Sequence, residues 1–237
     1  MANNIELNNM QKTIKKLALM AVGAALLLSA SCKNVSGDIS ADWVDLGLPS
    51  GLLWAKCNLG ATTPEEYGDY YAWGETTTKE VYDESTYKYC TLDADGYLST
   101  LTKYNTDSDF GTVDNLTTLQ TSDDAATAKL GNGARMPTVD EWDELFDNTT
   151  AEWTTVNGIY GHMLTASNGK SLFLPAAGGR YGSELLDAGG YGYYWSSSLF
   201  AVSPCYAWRF NFDLGGQSVD DGNRCSGLSV RPVRSAR

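Results

Sequence analysis

His162 is the only histidine in the chain and the first residue to which general acid–base chemistry would fall. It follows Gly161 in the β-like stretch GHMLTA, where a structural histidine is the expectation. Ser196, Ser197 and Ser198 offer hydroxyls, but no G-x-S-x-G elbow surrounds them, and in a strand such hydroxyls bond the backbone. Asp140, Glu141, Asp143 and Glu144 crowd the start of one helix, which capping and the helix dipole explain better than paired acid–base work. Asp93-Ala94-Asp95-Gly96 and Asp107-Ser108-Asp109 resemble pieces of a calcium loop but lack the later Glu, so turn formation is expected. No C-x-x-C pair exists, which argues against structural zinc. The reading is no enzyme, no cofactor and no metal.

Recognition chemistry is richer. The tail GYGYYWSSSLFAVSPCYAWRFNFDLGGQSVDDGNRCSGLSVRPV alternates strand-like aromatic segments with two assorted stretches, 199–206 and 218–226. Leu199, Phe200, Val202 and Pro204 are poor choices for a solvated loop, and exposed apolar side chains imply a partner that covers them. The candidate ligand site is built from 199–208 and 217–226. The first part supplies Leu199, Phe200, Val202, Ser203, Cys205, Tyr206 and Trp208. The second supplies Gln217, Asp220, Asp221, Asn223, Cys225 and Ser226. Tyr and Trp there give rigid amphipathic contact area, and Trp195 is assigned to the core. Cys205 and Cys225 fall one in each stretch, compatible with a bond across neighbouring loops or with two unpaired residues. Cys57, in the apolar LLWAKCNLG, reads as a buried free thiol.

The elements that hold these residues are short. VDLGLPSGLLWAKCNLGA reads as strand, turn at Leu48–Gly51, strand. Residues 76–121 read as a long, partly irregular insertion with short strands. Ser122 to Gly131 has a capping Ser, an Ala-rich body and a terminal Gly, the marks of a short helix. A second helix follows in MPTVDEWDELFDN, with Thr138 and Glu141 as a capping box and Val139, Trp142, Leu145 and Phe146 on one face. Asn168-Gly169 marks a hairpin. The fold class is α+β with a loop-rich face, and one main domain, 43–237, is expected in a chain of 237 residues.

Ahead of it, Lys12, Lys15 and Lys16 precede an apolar run from Leu17 to Leu28 that ends in small residues and Cys32. Residues 1–31 read as a signal peptide, with Met10 a better start than Met1. LLLSASC resembles a bacterial lipobox, so Cys32 is the expected lipidation site, followed by a small, polar tether over 32–42. The expected location is the outer membrane, held by a lipid anchor and surface-exposed. A formal charge of −12, from 29 acidic and 17 basic side chains, excludes nucleic acid as a partner.

Six ordered segments carry a family resemblance: VDLGLPSGLLWAKCNLGA, EEYGDYYAWGE, DDAATAKLGNGARMPTVDEWDEL, NGKSLFLPAAGGR, GYYWSSS and GLSVRPV. Together they resemble the Fibrobacter succinogenes major paralogous domain over about residues 43–233. The resemblance implies a C-type-lectin-like fold, in which first and last strands pair and a loop-rich half binds a ligand. It also implies a likeness to variable proteins of diversity-generating retroelements, in which template adenines are randomised, commonly at Asn codons. Changing the first two bases of an Asn codon cannot give Lys, Glu, Gln, Met or Trp, and 199–206 and 218–226 contain none of these. The implied partner is a surface protein or glycan; an invariant adhesion module is the alternative. The enzymes of this fold with a close cysteine pair are not matched, because Cys205 and Cys225 stand far apart in sequence.

Overall fold

A computed structural model describes residues 43–236; the stretches read as signal peptide and tether, with Cys32, lie outside the described residues. Strand β1 (Trp43–Asp45) reverses through the Leu48–Gly51 turn, closed by Gly51 N–H donating to the Leu48 carbonyl at 2.9 Å, into β2 (Leu52–Ala55). The last strand, β15 (Val233–Ser235), pairs with the other edge of β2. The terminal strands therefore share a three-stranded sheet without touching, β2 between them, which corrects the expectation that first and last strands pair.

After β3 (Tyr70–Tyr71), the insertion forms one hairpin, β4 (Cys90–Leu92) and β5 (Leu98–Leu101), with short strands as expected. Its turn is made by Asp93, whose Oδ1 accepts the N–H groups of Asp95 and Tyr97. Asp107 likewise caps a single turn at Ser108–Phe110.

Helix α1 spans Ala125–Leu130 and starts later than its sequence marks imply. Residues Thr121–Asp123 form a 3₁₀ turn, so Asp124 replaces Ser122 as the cap and accepts from Thr127 N–H at 2.9 Å. Helix α2 (Val139–Asp147) has the expected capping box: Thr138 Oγ1 accepts from Glu141 N–H, and Glu141 Oε2 accepts from Thr138 N–H. Arg135 grips the same carboxylate with both terminal nitrogens. Burial acts to raise the Glu141 pKa, but this pairing and the cap outweigh it and hold the carboxyl below its ordinary range.

Strands β6 (Thr149–Val156), β7 (Ile159–Ala166) and β8 (Ser171–Pro175) make a meander. Asn168-Gly169 turns β7 into β8 as expected. Asn157-Gly158, a second Asn-Gly that sequence reasoning overlooked, turns β6 into β7 with φ of 49° and 84°, the left-handed pair a tight hairpin requires. A small hairpin follows, β9 (Gly179–Tyr181) and β10 (Glu184–Leu186).

The five-stranded sheet has the order β13-β12-β11-β14-β3, from β11 (Gly192–Leu199), β12 (Tyr206–Asp213), β13 (Gly216–Asn223) and β14 (Leu228–Ser229). Its neighbours pair antiparallel except β11 with β14. Period-two alternation along β11 sends Tyr194 into one core and Trp195 into the other. The first core joins Tyr194, Phe210 and Phe212 to Trp142 of α2, whose ring lies 4.9 Å from Phe210. The second joins Trp195 to Trp73, Tyr89 and Tyr104 beneath the insertion. The indoles lock the layers: Trp73 Nε1 donates to Ser196 O and Trp195 Nε1 to Tyr71 O, both at 2.8 Å. The sum is an α+β fold dominated by antiparallel strands, with two helices among the described residues. None of its described helices is long and apolar enough to cross a membrane.

Candidate ligand-binding cleft

The second assorted stretch is a strand rather than a loop. Its pairing with β12 runs without a break from Tyr206↔Asn223 to Asp213↔Gly216, so GQSVDDGN is held by its neighbour despite poor intrinsic strand propensity. The register divides its side chains. Asp220 lies opposite Arg209, with 3.8 Å between carboxylate and guanidinium, and Ser218 Oγ donates to Asn211 Oδ1 on that same face. Asp221 lies opposite Trp208 on the other face.

The first stretch is a tight loop of residues 200–205 between β11 and β12. Ser203 N–H donates to Phe200 O, Tyr206 N–H to Ser203 O, and Thr106 of the insertion donates its hydroxyl to Ala201 O at 2.7 Å. Phe200 stands edge-on to Trp208 at 4.8 Å. Val202, at the tip, is 82% exposed. A valine so exposed buries little area against the fold.

Both stretches converge with the insertion on a cleft of about 210 Å³. Cys205 and Tyr206 come from the first stretch, Asn223, Arg224 and Cys225 from the second. Glu84, Tyr87, Leu98, Leu101 and Phe110 come from the insertion. Sequence reasoning missed these five, because an irregular Thr- and Asp-rich segment gives no signal of which residues will face a distant loop. The wall is a mixture of apolar side chains and a few polar groups, as small-ligand sites are.

Not every expected contact is available. Leu199 and Ser226 are buried at 3% exposure each and pack inside; Cys225 is buried but borders the cleft. Leu199 is buried because its strand carries it under the insertion, where its N–H donates to Thr117 O. Gln217, Asp220 and Asn223 are exposed, and Phe200, Ser203, Cys205, Tyr206, Trp208 and Asp221 are half-buried.

Cys90, Cys205 and Cys225 carry free thiols, so no bond joins Cys205 to Cys225. Burial pushes the Cys205 thiol up and that of Cys225 up to about 12, the nearby Glu84 carboxylate adding to the latter. Protonated thiols line the cleft as weakly polar apolar surface rather than as nucleophiles. Cys57 is disulfide-bonded, which corrects the free thiol expected there.

His162 lies away from the cleft, in β7, with Nε2 3.0 Å from the Asp213 carbonyl and its ring stacked on Phe212 at 4.5 Å. Ser196 Oγ donates to Trp208 O, a backbone role as expected. Among the described residues no group of three or more His, Cys, Asp or Glu is disposed to hold a metal ion. No family model, curated protein or solved structure matches this chain.

Proposed function

We propose that the chain is an exported, lipid-anchored binding protein that captures a surface protein or glycan through the face around this cleft. The observation that carries the reading is the meeting of two compositionally assorted segments with the sequence-distant insertion at one concave site. Val202 at 82% exposure and the half-buried Phe200 and Trp208 pair extend it into a contact surface with rigid aromatic anchors. In this reading recognition needs no chemistry: strands fix the backbone and side chains select the partner.

The fold is C-type-lectin-like on this proposal, supported by the six ordered segments, the terminal strands gathered in one sheet and the long insertion beside the last hairpin. The exposed positions of the face are the diversified residues of a retroelement variable protein, supported by the absence of residues unreachable from Asn codons. Burial narrows that set: Leu199, Pro204, Arg224, Cys225 and Ser226 are packed, and Trp208 and Gln217 are themselves unreachable from an Asn codon, leaving 200–203, 206, 218–221 and 223 as positions whose change the fold tolerates.

The test replaces Phe200, Tyr206 and Asp221 together with alanine and screens wild type and variant against an array of surface proteins and glycans. Loss of capture with an unchanged melting temperature supports the proposal; equal capture by both overturns it. Diversification requires a reverse transcriptase gene and a near-repeat template close to the coding sequence, and a neighbourhood without both sinks that part. The anchor competes with the Cys57 disulfide for the Cys32 sulfur, because the other three cysteines are free thiols; mass spectrometry of the membrane fraction decides, and an acylated Cys32 N-terminus supports the anchor. A peptide with Cys32 linked to Cys57 would exclude it, since the same sulfur carries the lipid.

A further inference from the structure

We propose that the outer edge of β13 takes an extended basic peptide as a sixth strand of the sheet. The inference extends the reading above from side chains to backbone, and rests on it only in treating this end of the sheet as a recognition surface.

β13 is the edge of the five-stranded sheet, paired with β12 alone. At eight residues it offers an edge of about 27 Å. The connection from Asp213 to Gly216 is a two-residue turn, Leu214-Gly215, which makes Asp213↔Gly216 a hydrogen-bonded pair. Alternation then gives the inward bonds to Ser218, Asp220 and Gly222, and aims the N–H and C=O of Gln217, Val219 and Asp221 outward. One detail agrees independently: the N–H of Asp221 donates not to β12 but to the exposed Asp220 Oδ1, at 2.8 Å. Gln217 and Val219 keep both groups open to a new strand.

Exposed edges are ordinarily blunted by lysine, proline or a bulge. GQSVDDGN has no lysine, arginine or proline, and its register with β12 is unbroken. What it carries is acidic side chains on both faces: Asp221 on the side of Trp208, Asp213 at the turn, and the exposed Asp220, which Arg209 only partly offsets at 3.8 Å. A second copy of β13 laid alongside would set aspartate against aspartate, and like charges across a strand pair are destabilising. A strand with lysine or arginine on both faces meets opposite charge instead.

The probe is a short fluorescent peptide of alternating lysine and threonine, with a glutamate-for-lysine peptide as control, followed by anisotropy. The lysine peptide is expected to bind, the glutamate peptide not, and binding is expected to slow amide exchange at Gln217 and Val219. Val219→Pro removes an outward N–H while sparing the β12 ladder, since proline is tolerated on the free side of an edge strand. It is expected to weaken the peptide about tenfold, the worth of one to two hydrogen bonds. Binding without protection of those two amides overturns the proposal even if the proline variant fails to fold, as does equal binding of both peptides, or self-association that protects the same amides. Phe200→Ala with Tyr206→Ala separates the two readings, because it removes cleft ligands and leaves the edge peptide bound.

Discussion

Arg224 donates through Nε to the hydroxyl of Tyr87 at 2.9 Å, across 137 positions of sequence. The same guanidinium donates to the carbonyls of Tyr104, Pro204 and Lys103. Its plane also lies 5.0 Å from the Trp73 ring, so a fully buried cation is held by neutral oxygens and aromatic faces. One side chain from the second stretch thereby ties the loop of the first stretch to the insertion. That tie forms part of the cleft wall.

Arg224→Ala is therefore expected to destabilise the protein by about 3 kcal/mol or more, since it leaves several buried acceptors without donors. Tyr87→Phe, which removes one hydroxyl and keeps the ring, is expected to cost about 1–2 kcal/mol. Urea unfolding of the single and double variants measures both and their coupling. Independent, additive effects would show that Arg224 does not act through Tyr87.

The two buried arginines also mark how far sequence carries. Arg231, in the motif GLSVRPV, and Arg224, in an assorted stretch, each make four hydrogen bonds to distant partners. Nothing in local composition separates a buried arginine from a solvated one, because three of the four partners of each are backbone carbonyls brought up by tertiary folding. Local signals did better. The α2 capping box and its apolar face, the Asn168-Gly169 hairpin and the core place of Trp195 all depend on neighbours within a few residues. β13 was hidden for the opposite reason: its polar residues form a strand only because β12 pairs with them.

Leu199 and Val202 stand three positions apart in one stretch and at opposite extremes of burial, 3% and 82% exposed. Leu199→Ala is expected to cost about 2–4 kcal/mol through transfer and cavity terms. Val202→Ala is expected to stay within about 0.5 kcal/mol. Thermal or urea midpoints decide it, and a population survey should follow the same division, with sequence variation at 202 and constancy at 199. Equal tolerance at both sites would remove the boundary drawn here between scaffold and face.

The thiols give a chemical check on the cleft. At about pH 8 Cys225 lies well below its raised pKa and stays protonated, besides being buried. A thiol-reactive chromophore is expected to leave Cys225 unlabelled in the native protein, to label the half-buried Cys205 slowly, and to label both fast in denaturant. Ligand in the cleft should protect Cys205 further. Rapid native labelling of Cys225 would mean that the insertion does not close over it.

His162 sets a pH dependence that a single substitution isolates, as the chain has no other histidine. Burial depresses its pKa below the ordinary 6.5, outweighing the carbonyl of Asp213, which favours the charged ring. The unfolded chain then takes up the proton first as pH falls. Its contribution to stability is complete above about 6.5 and is lost as pH drops towards the depressed folded value. Glu141, also depressed, adds a loss in the same direction, but only below its ordinary 4.5. Urea midpoints are accordingly expected to fall between about pH 7 and pH 5, ahead of the carboxylates. His162→Gln should flatten that interval and leave the steeper acid limb in place. A slope that survives the substitution would assign it to groups other than the imidazole stacked on Phe212.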